Sequence, residues 1–108
     1  MKVLISPGYG SGWSTWNDPR MAFDRRLIEA FERGVSREDM RTLCVEYGYA
    51  DAYGDVPPYM GGFDQLKVID VPSGMRFQIV EYDGAERIKF FDEDDWYYSE
   101  GEYYDCDC

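Results

Sequence analysis

Cysteines and carboxylates are the side chains through which this chain could do chemistry, because it contains no histidine. The missing histidine excludes Ser-His-Asp and Cys-His catalysis and removes the commonest metal ligand near neutral pH. Carboxylates are abundant, with 22 Asp and Glu against 11 Lys and Arg, so pairs of them occur by chance. No local spacing distinguishes a pair that could act as general acid and base from a solvated pair. We therefore expect a protein that is not an enzyme.

Three cysteines form the candidate metal site, namely Cys44, Cys106 and Cys108, of which the last two make a C-x-C pair. A structural zinc usually takes four protein ligands, and thiolates hold it tightly. One carboxylate could complete the tetrahedron. The acids closest in sequence are Asp105, Asp107 and Glu46. In the alternative interpretation Cys44 is a small core residue on a helix face, and the C-x-C pair is an untethered end. Zinc is the one candidate cofactor.

The strongest concentration of charge lies in the acidic segment, which we define as residues 92–108. It contains eight acids, no base and five aromatic residues, and it contributes −8 to a net charge of −11. Acids along an ordered edge can imitate a phosphate backbone, and Trp and Tyr can anchor an interface. The predicted partner-binding residues are Asp92, Glu93, Asp94, Asp95, Trp96, Tyr97, Tyr98, Glu100 and Glu102. Alternatively, the segment is a solvated terminal strand whose acidity only keeps the protein soluble.

A second candidate site is the Gly/Trp-rich loop, which we define as residues 6–17 (SPGYGSGWSTWN). A glycine-rich loop after a first strand can bind phosphate through its backbone N–H groups. Its glycines at 8, 10 and 12 match neither the G-x-G-x-x-G spacing nor a P-loop. The ligand-binding residues in this alternative are Tyr9, Trp13, Ser14, Thr15 and Trp16. In the competing interpretation the loop is tight and its two tryptophans pack on the core.

Local patterns predict the elements that must position these residues. An apolar run predicts a strand over residues 1–6, and the Asp18-Pro19 pair predicts that a helix begins there and continues to about residue 33. Ser36 is the expected N-cap of a second helix, which Gly48 ends. Strands are predicted over residues 63–71, 76–82 and 86–91, with Asp83-Gly84 as a hairpin turn between the last two.

This order of elements predicts one α+β domain over residues 1–108, with the acidic segment at its C-terminal end. We expect two helices packed on one face of a small, mostly antiparallel sheet, in the order β-α-α-β-β-β. No run of 18 apolar residues is present, and residues 1–10 lack the apolar stretch of a signal peptide. We therefore expect no membrane span and a cytoplasmic protein.

Two stretches of this sequence resemble small uncharacterised phage and prophage proteins: MKVLISPGYGSGWSTWN at residues 1–17 and EYDGAE at residues 81–86. In acidity and size the chain also resembles the anti-CRISPR inhibitors of type II CRISPR nucleases that mobile elements encode. This resemblance implies a protein of the host cytoplasm. Some of these inhibitors bind the basic nucleic-acid groove or recognition lobe of the nuclease, and some carry a structural zinc.

The charge and the resemblance together predict a non-enzymatic inhibitor that binds a basic surface of a CRISPR effector nuclease and blocks nucleic acid loading. A chain this acidic is attracted to basic proteins and repelled by nucleic acids and anionic membranes. We therefore expect neither direct nucleic acid binding nor membrane binding. The alternative is a small-ligand module that holds a nucleotide in the Gly/Trp-rich loop.

Overall fold

The structure is a computed structural model that describes residues 1–90 and the backbone of Tyr104–Asp105. Within these residues it contains two α-helices and five strands, which confirms the predicted α+β class; the order β-α-α-β-β-β holds for residues 1–90, and β5 adds a strand after them. The elements are β1 (Lys2–Ile5), α1 (Arg25–Glu32), α2 (Arg37–Glu46), β2 (Lys67–Asp70), β3 (Arg76–Tyr82), β4 (Ala85–Phe90) and β5 (Tyr104–Asp105). Within the described residues, no helix is long and apolar enough to cross a membrane.

The strands form two small antiparallel sheets, where the sequence predicted one. β1 pairs with β2 in the first sheet, and β3 lies between β4 and β5 in the second. The two sheets meet where β1 ends, because the Glu86 N–H donates to the Ser6 carbonyl at 2.9 Å. The Ser6 N–H donates to the Glu86 carboxylate instead of to a neighbouring strand, and Pro7 has no N–H. The ladder therefore does not continue from one sheet to the other.

Strand β1 is buried on both faces and separates two groups of core residues. Leu4 faces a cluster that includes Trp13, Leu27 and Met40, and this cluster contains the buried faces of both helices. On the other side, alternate β1 residues pack with β3. This second cluster consists of Val3, Ile5, Ala22, Val71 and Phe77. Because successive side chains of β1 point to opposite faces, this strand packs against the helices on one face and against the hairpin on the other.

The first predicted helix is broken, whereas the second one forms as expected. A 3₁₀ turn covers Pro19–Ala22, and α1 begins only at Arg25. The break lies at Asp24, whose backbone is extended and whose side chain accepts from the Arg26 N–H at 2.9 Å as a new N-cap. In α2 the Ser36 hydroxyl accepts from the Asp39 N–H at 3.1 Å, as the sequence predicted.

The Asp83-Gly84 hairpin also forms as predicted. Asp83 and Gly84 have φ values of 50° and 84°, which is the backbone that a tight turn with the hand of the sheet twist requires. The turn sets Tyr82 opposite Ala85 and, five residues further along each strand, Phe77 opposite Phe90. We call residues 81–86, which contain the turn and the strand ends beside it, the hairpin corner.

Candidate functional site

The buried carboxylate of Glu86 is the polar centre of the described structure. Its side chain is 1% exposed, and within residues 1–90 its oxygens accept from N–H and O–H groups of the Gly/Trp-rich loop. Oε1 accepts from the Ser6 N–H at 2.9 Å, and Oε2 accepts from the N–H groups of Trp13 and Thr15 at 2.9 Å each. The Thr15 hydroxyl also donates to Oε2, at 2.5 Å. Four donors of the Gly/Trp-rich loop thus compensate the desolvation of this carboxylate.

Close backbone packing brings the hairpin corner against the Gly/Trp-rich loop. The Gly10 N–H donates to the Asp83 carbonyl at 2.5 Å, and the Glu86 N–H donates to Ser6. A Cβ atom at Gly84 would lie 2.5 Å from the Ser11 nitrogen and 2.9 Å from Cζ2 of Trp16. Only glycine fits at this corner, so the Asp83-Gly84 turn serves both the hairpin and this contact.

The loop therefore gathers its N–H groups around an anion, but the anion belongs to the chain itself. Sequence reasoning considered these N–H groups as donors to a ligand phosphate and did not single out Glu86. A signal was present: strand alternation places Glu86 on the same face as Ile88, which was expected to point inward. An acid at an inward strand position requires donors from another part of the chain.

The residues predicted to hold a ligand in the loop divide between the core and the surface. Trp13 and Ser14 are buried, and the Trp13 indole N–H donates to the Met21 carbonyl at 3.3 Å. Tyr9 and Thr15 are exposed, and Trp16 is partly exposed. The loop thus presents two aromatic rings to solvent and keeps the side chains of Trp13 and Ser14 inside, while the hydroxyl of the exposed Thr15 is turned inward to Glu86.

Trp16 contacts Tyr59, a residue outside the predicted site. Their ring centroids are 5.3 Å apart, with an angle of 45° between the ring planes. The Asn17 side chain fixes the two segments together, because it donates to the carbonyls of Trp13 and Tyr59 and accepts from the Tyr59 N–H, at 2.8–2.9 Å. We call Trp16 and Tyr59 the aromatic pair.

A second polar cluster, around Asp24, connects the two helices. Its carboxylate accepts from the Tyr49 hydroxyl at 2.6 Å and pairs with the Arg26 guanidinium at 2.8 Å. The Arg26 hydrogen bond, with help from Tyr49, lowers the pKa of Asp24 to about 2. Burial, followed by the bond to Asp24, raises the pKa of Tyr49 to about 12. This cluster holds the chain in place around the start of α1. Its groups bond to one another and do not form a site that is open to a ligand.

Of the three predicted zinc ligands, the described residues include Cys44, which is buried among core residues of α2. Burial, and to a lesser extent the charge of Asp24, raises the pKa of its thiol to about 12. Within residues 1–90, no group of three or more Cys, Asp or Glu is placed to hold a metal ion. Cys106, Cys108 and Asp107 lie outside the described residues, as does the Asp105 side chain, so zinc binding stays a prediction.

The predicted partner-binding residues of the acidic segment, Asp92 to Glu102, lie outside the described residues. The structure does describe the chain on either side of them. Phe90 pairs with Phe77 across one edge of β3, and Tyr104 pairs with the same Phe77 across the other edge. The last described residue before this stretch and the first one after it therefore pair with the same residue of β3.

Comparison with protein-family models, curated proteins and solved structures finds no match for this chain. The resemblance to phage proteins and anti-CRISPR inhibitors therefore stays a prediction. The two stretches that carry this resemblance do meet in the structure, since residues 6–15 donate to Glu86 at the end of residues 81–86. They form one structural unit, centred on the Glu86 carboxylate.

Proposed function

We propose that this protein is a non-enzymatic inhibitor, of the kind that phages and mobile elements encode, which binds a basic surface of a CRISPR nuclease and blocks nucleic acid loading. The observation that carries the proposal is that Phe90 and Tyr104, the described residues on either side of residues 91–103, both pair with Phe77 of β3. This stretch contains six acids and no base. Anchoring both ends on a folded sheet limits the entropy that an acidic stretch loses when it binds a partner.

The distribution of charge supports a single acidic contact surface. Residues 1–90 contain 14 acids and 11 bases, which leaves a net charge of only −3 in that part of the chain. Residues 91–108 contribute the remaining −8. Such an asymmetric field steers the acidic end toward a basic surface and accelerates association. Basic grooves that bind nucleic acid are the surfaces that match it best.

Three side chains of residues 1–90 that could take part in catalysis, those of Glu86, Ser6 and Cys44, are buried, which also favours binding over catalysis. Both oxygens of Glu86 accept hydrogen bonds from the loop. The Ser6 hydroxyl donates to the carbonyls of Ser11 and Gly62, at 2.5 and 3.2 Å. The Cys44 thiol is buried, and its raised pKa keeps it protonated.

The alternative function, nucleotide binding by the Gly/Trp-rich loop, has less support from the geometry. The N–H groups of Trp13 and Thr15, which a phosphate would need, already donate to Glu86. A phosphate in their place would have to displace this carboxylate and leave its charge uncompensated.

Binding of the purified protein to a type II nuclease–guide complex tests the proposal. The informative variant is Asp92→Asn/Glu93→Gln/Asp94→Asn/Asp95→Asn, which removes four charges from the acidic segment. We expect wild type to bind the complex and to reduce its binding of target DNA. The variant should bind at least about tenfold more weakly, since several charge contacts to the basic surface are lost.

A matched control removes four charges from exposed positions elsewhere: Glu29→Gln/Glu38→Gln/Glu46→Gln/Asp70→Asn. Its net charge equals that of the first variant, so a difference between the two reports the location of the charge and not its total. Equal binding by wild type and the acidic-segment variant would rule out this contact surface.

A further inference from the structure

The aromatic pair is a preformed surface feature. Tyr59 is 39% exposed and Trp16 is partly exposed, and their ring planes are tilted by 45°. The Tyr59 hydroxyl donates to the Gly10 carbonyl at 3.2 Å, which fixes the outer end of its ring. The two rings therefore form one partly exposed aromatic surface.

Each ring of the aromatic pair packs directly against a glycine. A Cβ atom at Gly12 would collide with the Trp16 indole, and one at Gly61 would collide with the Tyr59 ring. Gly84 also approaches the indole, as described above for the hairpin corner. The rings thus lie directly on backbone and cannot swing inward, so a ligand that meets them loses little side-chain entropy.

The segments around this pair carry only negative charge. Trp16 lies in residues 6–17 and Tyr59 in residues 51–62, and the two are joined by a hydrogen bond from the Ala52 N–H to the Trp16 carbonyl at 3.2 Å. Together with residues 81–84 of the hairpin, these segments contain no Lys or Arg. Their acids are Asp51, Asp55, Glu81 and Asp83.

We propose that the aromatic pair binds a Lys or, preferably, Arg side chain of a partner protein. Because the ring centroids are only 5.3 Å apart, a cation on the exposed side of the pair can lie within about 6 Å of both, the range of cation–π attraction. The same chemistry occurs inside this chain, where Arg26 lies 3.7 Å from the Tyr47 ring centroid and Arg20 lies 5.0 Å from that of Tyr49. At the aromatic pair the chain supplies the rings and the acids, and the partner supplies the cation.

This inference rests on the proposed function only in taking the partner to be a basic protein. It adds a contact made by residues in the described part of the chain. An anionic ligand such as a nucleotide fits the pair poorly, because the surrounding acids repel it and the loop N–H groups are turned toward Glu86.

Nuclear magnetic resonance of the Trp16 indole N–H, assigned with a Trp16→Phe variant, tests the contact directly. The probes are a short arginine peptide, the same peptide with neutral citrulline in place of arginine, and ATP. We expect a saturable shift of the Trp16 signal with the arginine peptide, and little change with citrulline or ATP. A Trp16 signal that ignores the arginine peptide, or that responds equally to citrulline or more strongly to ATP, overturns the inference.

The same titration on the chain with residues 92–95 neutralised separates this inference from the proposed function. We expect the Trp16 shift to persist there, even where binding to the nuclease is lost. A shift that disappears with the four acids means that the peptide was bound by the acidic segment, and it overturns the inference without affecting the proposed function. If the shift persists and nuclease binding is also unaffected by the neutralisation, the proposed function is overturned and the inference about the aromatic pair stands.

Variants of the pair connect the contact to the partner. Tyr59→Ala should weaken nuclease binding by about tenfold, whereas Tyr59→Phe, which keeps the ring, should bind nearly as wild type does. Val45→Ala, which removes an exposed apolar side chain from α2, is the control. Equal binding by Tyr59→Ala and Tyr59→Phe, with both folded, contradicts a role for the ring.

Discussion

Oε2 of Glu86 accepts hydrogen bonds from both the N–H and the hydroxyl of Thr15, a residue 71 positions earlier in the chain. This contact closes the Gly/Trp-rich loop over a buried negative charge. It makes the hairpin corner and the loop parts of one structure, although each is a local motif in the sequence. The aromatic pair is held in place by the same arrangement, since Trp16 directly follows Thr15.

Replacing Glu86 with Gln should destabilise the fold by about 2–3 kcal/mol, because one of the loop donors then faces an NH₂ group and stays unsatisfied. The amide oxygen can keep the three donors of Oε2, so the Ser6 N–H is the group that loses its acceptor. Urea denaturation measures the change. Glu81→Gln is the control, because Glu81 is exposed and accepts from the nearby Gly84 N–H, at 3.0 Å, rather than from a distant segment of residues 1–90. Equal midpoints for the two variants would contradict the role given to Glu86.

Replacing Gly84 with Ala should cost at least about 2 kcal/mol more than replacing Gly74 with Ala, because of overpacking against the loop. Both glycines have positive φ, 84° and 80°, so the backbone strain of the two variants is similar. They differ in their surroundings: a Cβ at Gly84 meets the Ser11 backbone, whereas one at Gly74 meets nothing within 4 Å. Thermal or urea unfolding gives the difference. Variants of equal stability would show that the corner does not press on the loop.

The stability difference between wild type and Asp24→Asn should depend on pH. The folded pKa of Asp24, about 2, lies below its ordinary value of 3.8, so the ionised carboxylate stabilises the fold above about pH 4. This contribution is lost as the pH falls from about 4 to about 2. Urea denaturation across this range should show the two proteins converging in acid. A constant difference would contradict the assignment of the low pKa to Asp24.

At the other end of the scale, Tyr49 should make the fold sensitive to alkali. Its folded pKa, about 12, lies above the ordinary value of 10, so its neutral hydroxyl stabilises the fold fully below about pH 10. That stabilisation is lost as the pH rises toward 12. A Tyr49→Phe variant should therefore lose stability less steeply than wild type in alkali. Parallel curves for the two proteins would contradict the prediction.

Metal analysis of the purified protein tests the zinc prediction. Zinc near one equivalent in wild type, lost in a Cys106→Ser/Cys108→Ser variant, would support the site, and zinc-free wild-type protein would end the prediction. In that variant Cys44 is the remaining thiol, and its burial and raised pKa predict very slow reaction with a thiol reagent until the protein is unfolded. Fast native labelling would show that Cys44 is accessible.

Features with a local cause could be predicted from the sequence. Helix α2 begins after Ser36 because its hydroxyl caps the first turn, and the hairpin turns at Asp83-Gly84 because these residues accept positive φ. The α+β class followed from the order of such elements. Contacts between distant segments decided the rest.

The break before α1 and the role of Glu86 both depend on such distant contacts. Asp24 interrupts the predicted helix while its carboxylate bonds to Tyr49, 25 residues later. Glu86 is stable in the core only because the loop after β1 supplies four donors. The division into two sheets also results from a distant contact, since the Ser6 N–H donates to the Glu86 side chain and not to a neighbouring strand. In each of these contacts, the sequence around one residue does not indicate which distant residue will bond to it.

The salt dependence of association with a nuclease–guide complex tests the central claim, that acidic residues of this protein bind a basic surface, most directly. If the claim is right, the association rate of wild type falls by at least about tenfold between about 50 mM and about 500 mM NaCl. The variant neutralised at residues 92–95 should associate more slowly at low salt and depend less on salt than the control with four other acids removed. An association rate that is independent of salt, or the same for both variants, would contradict the account.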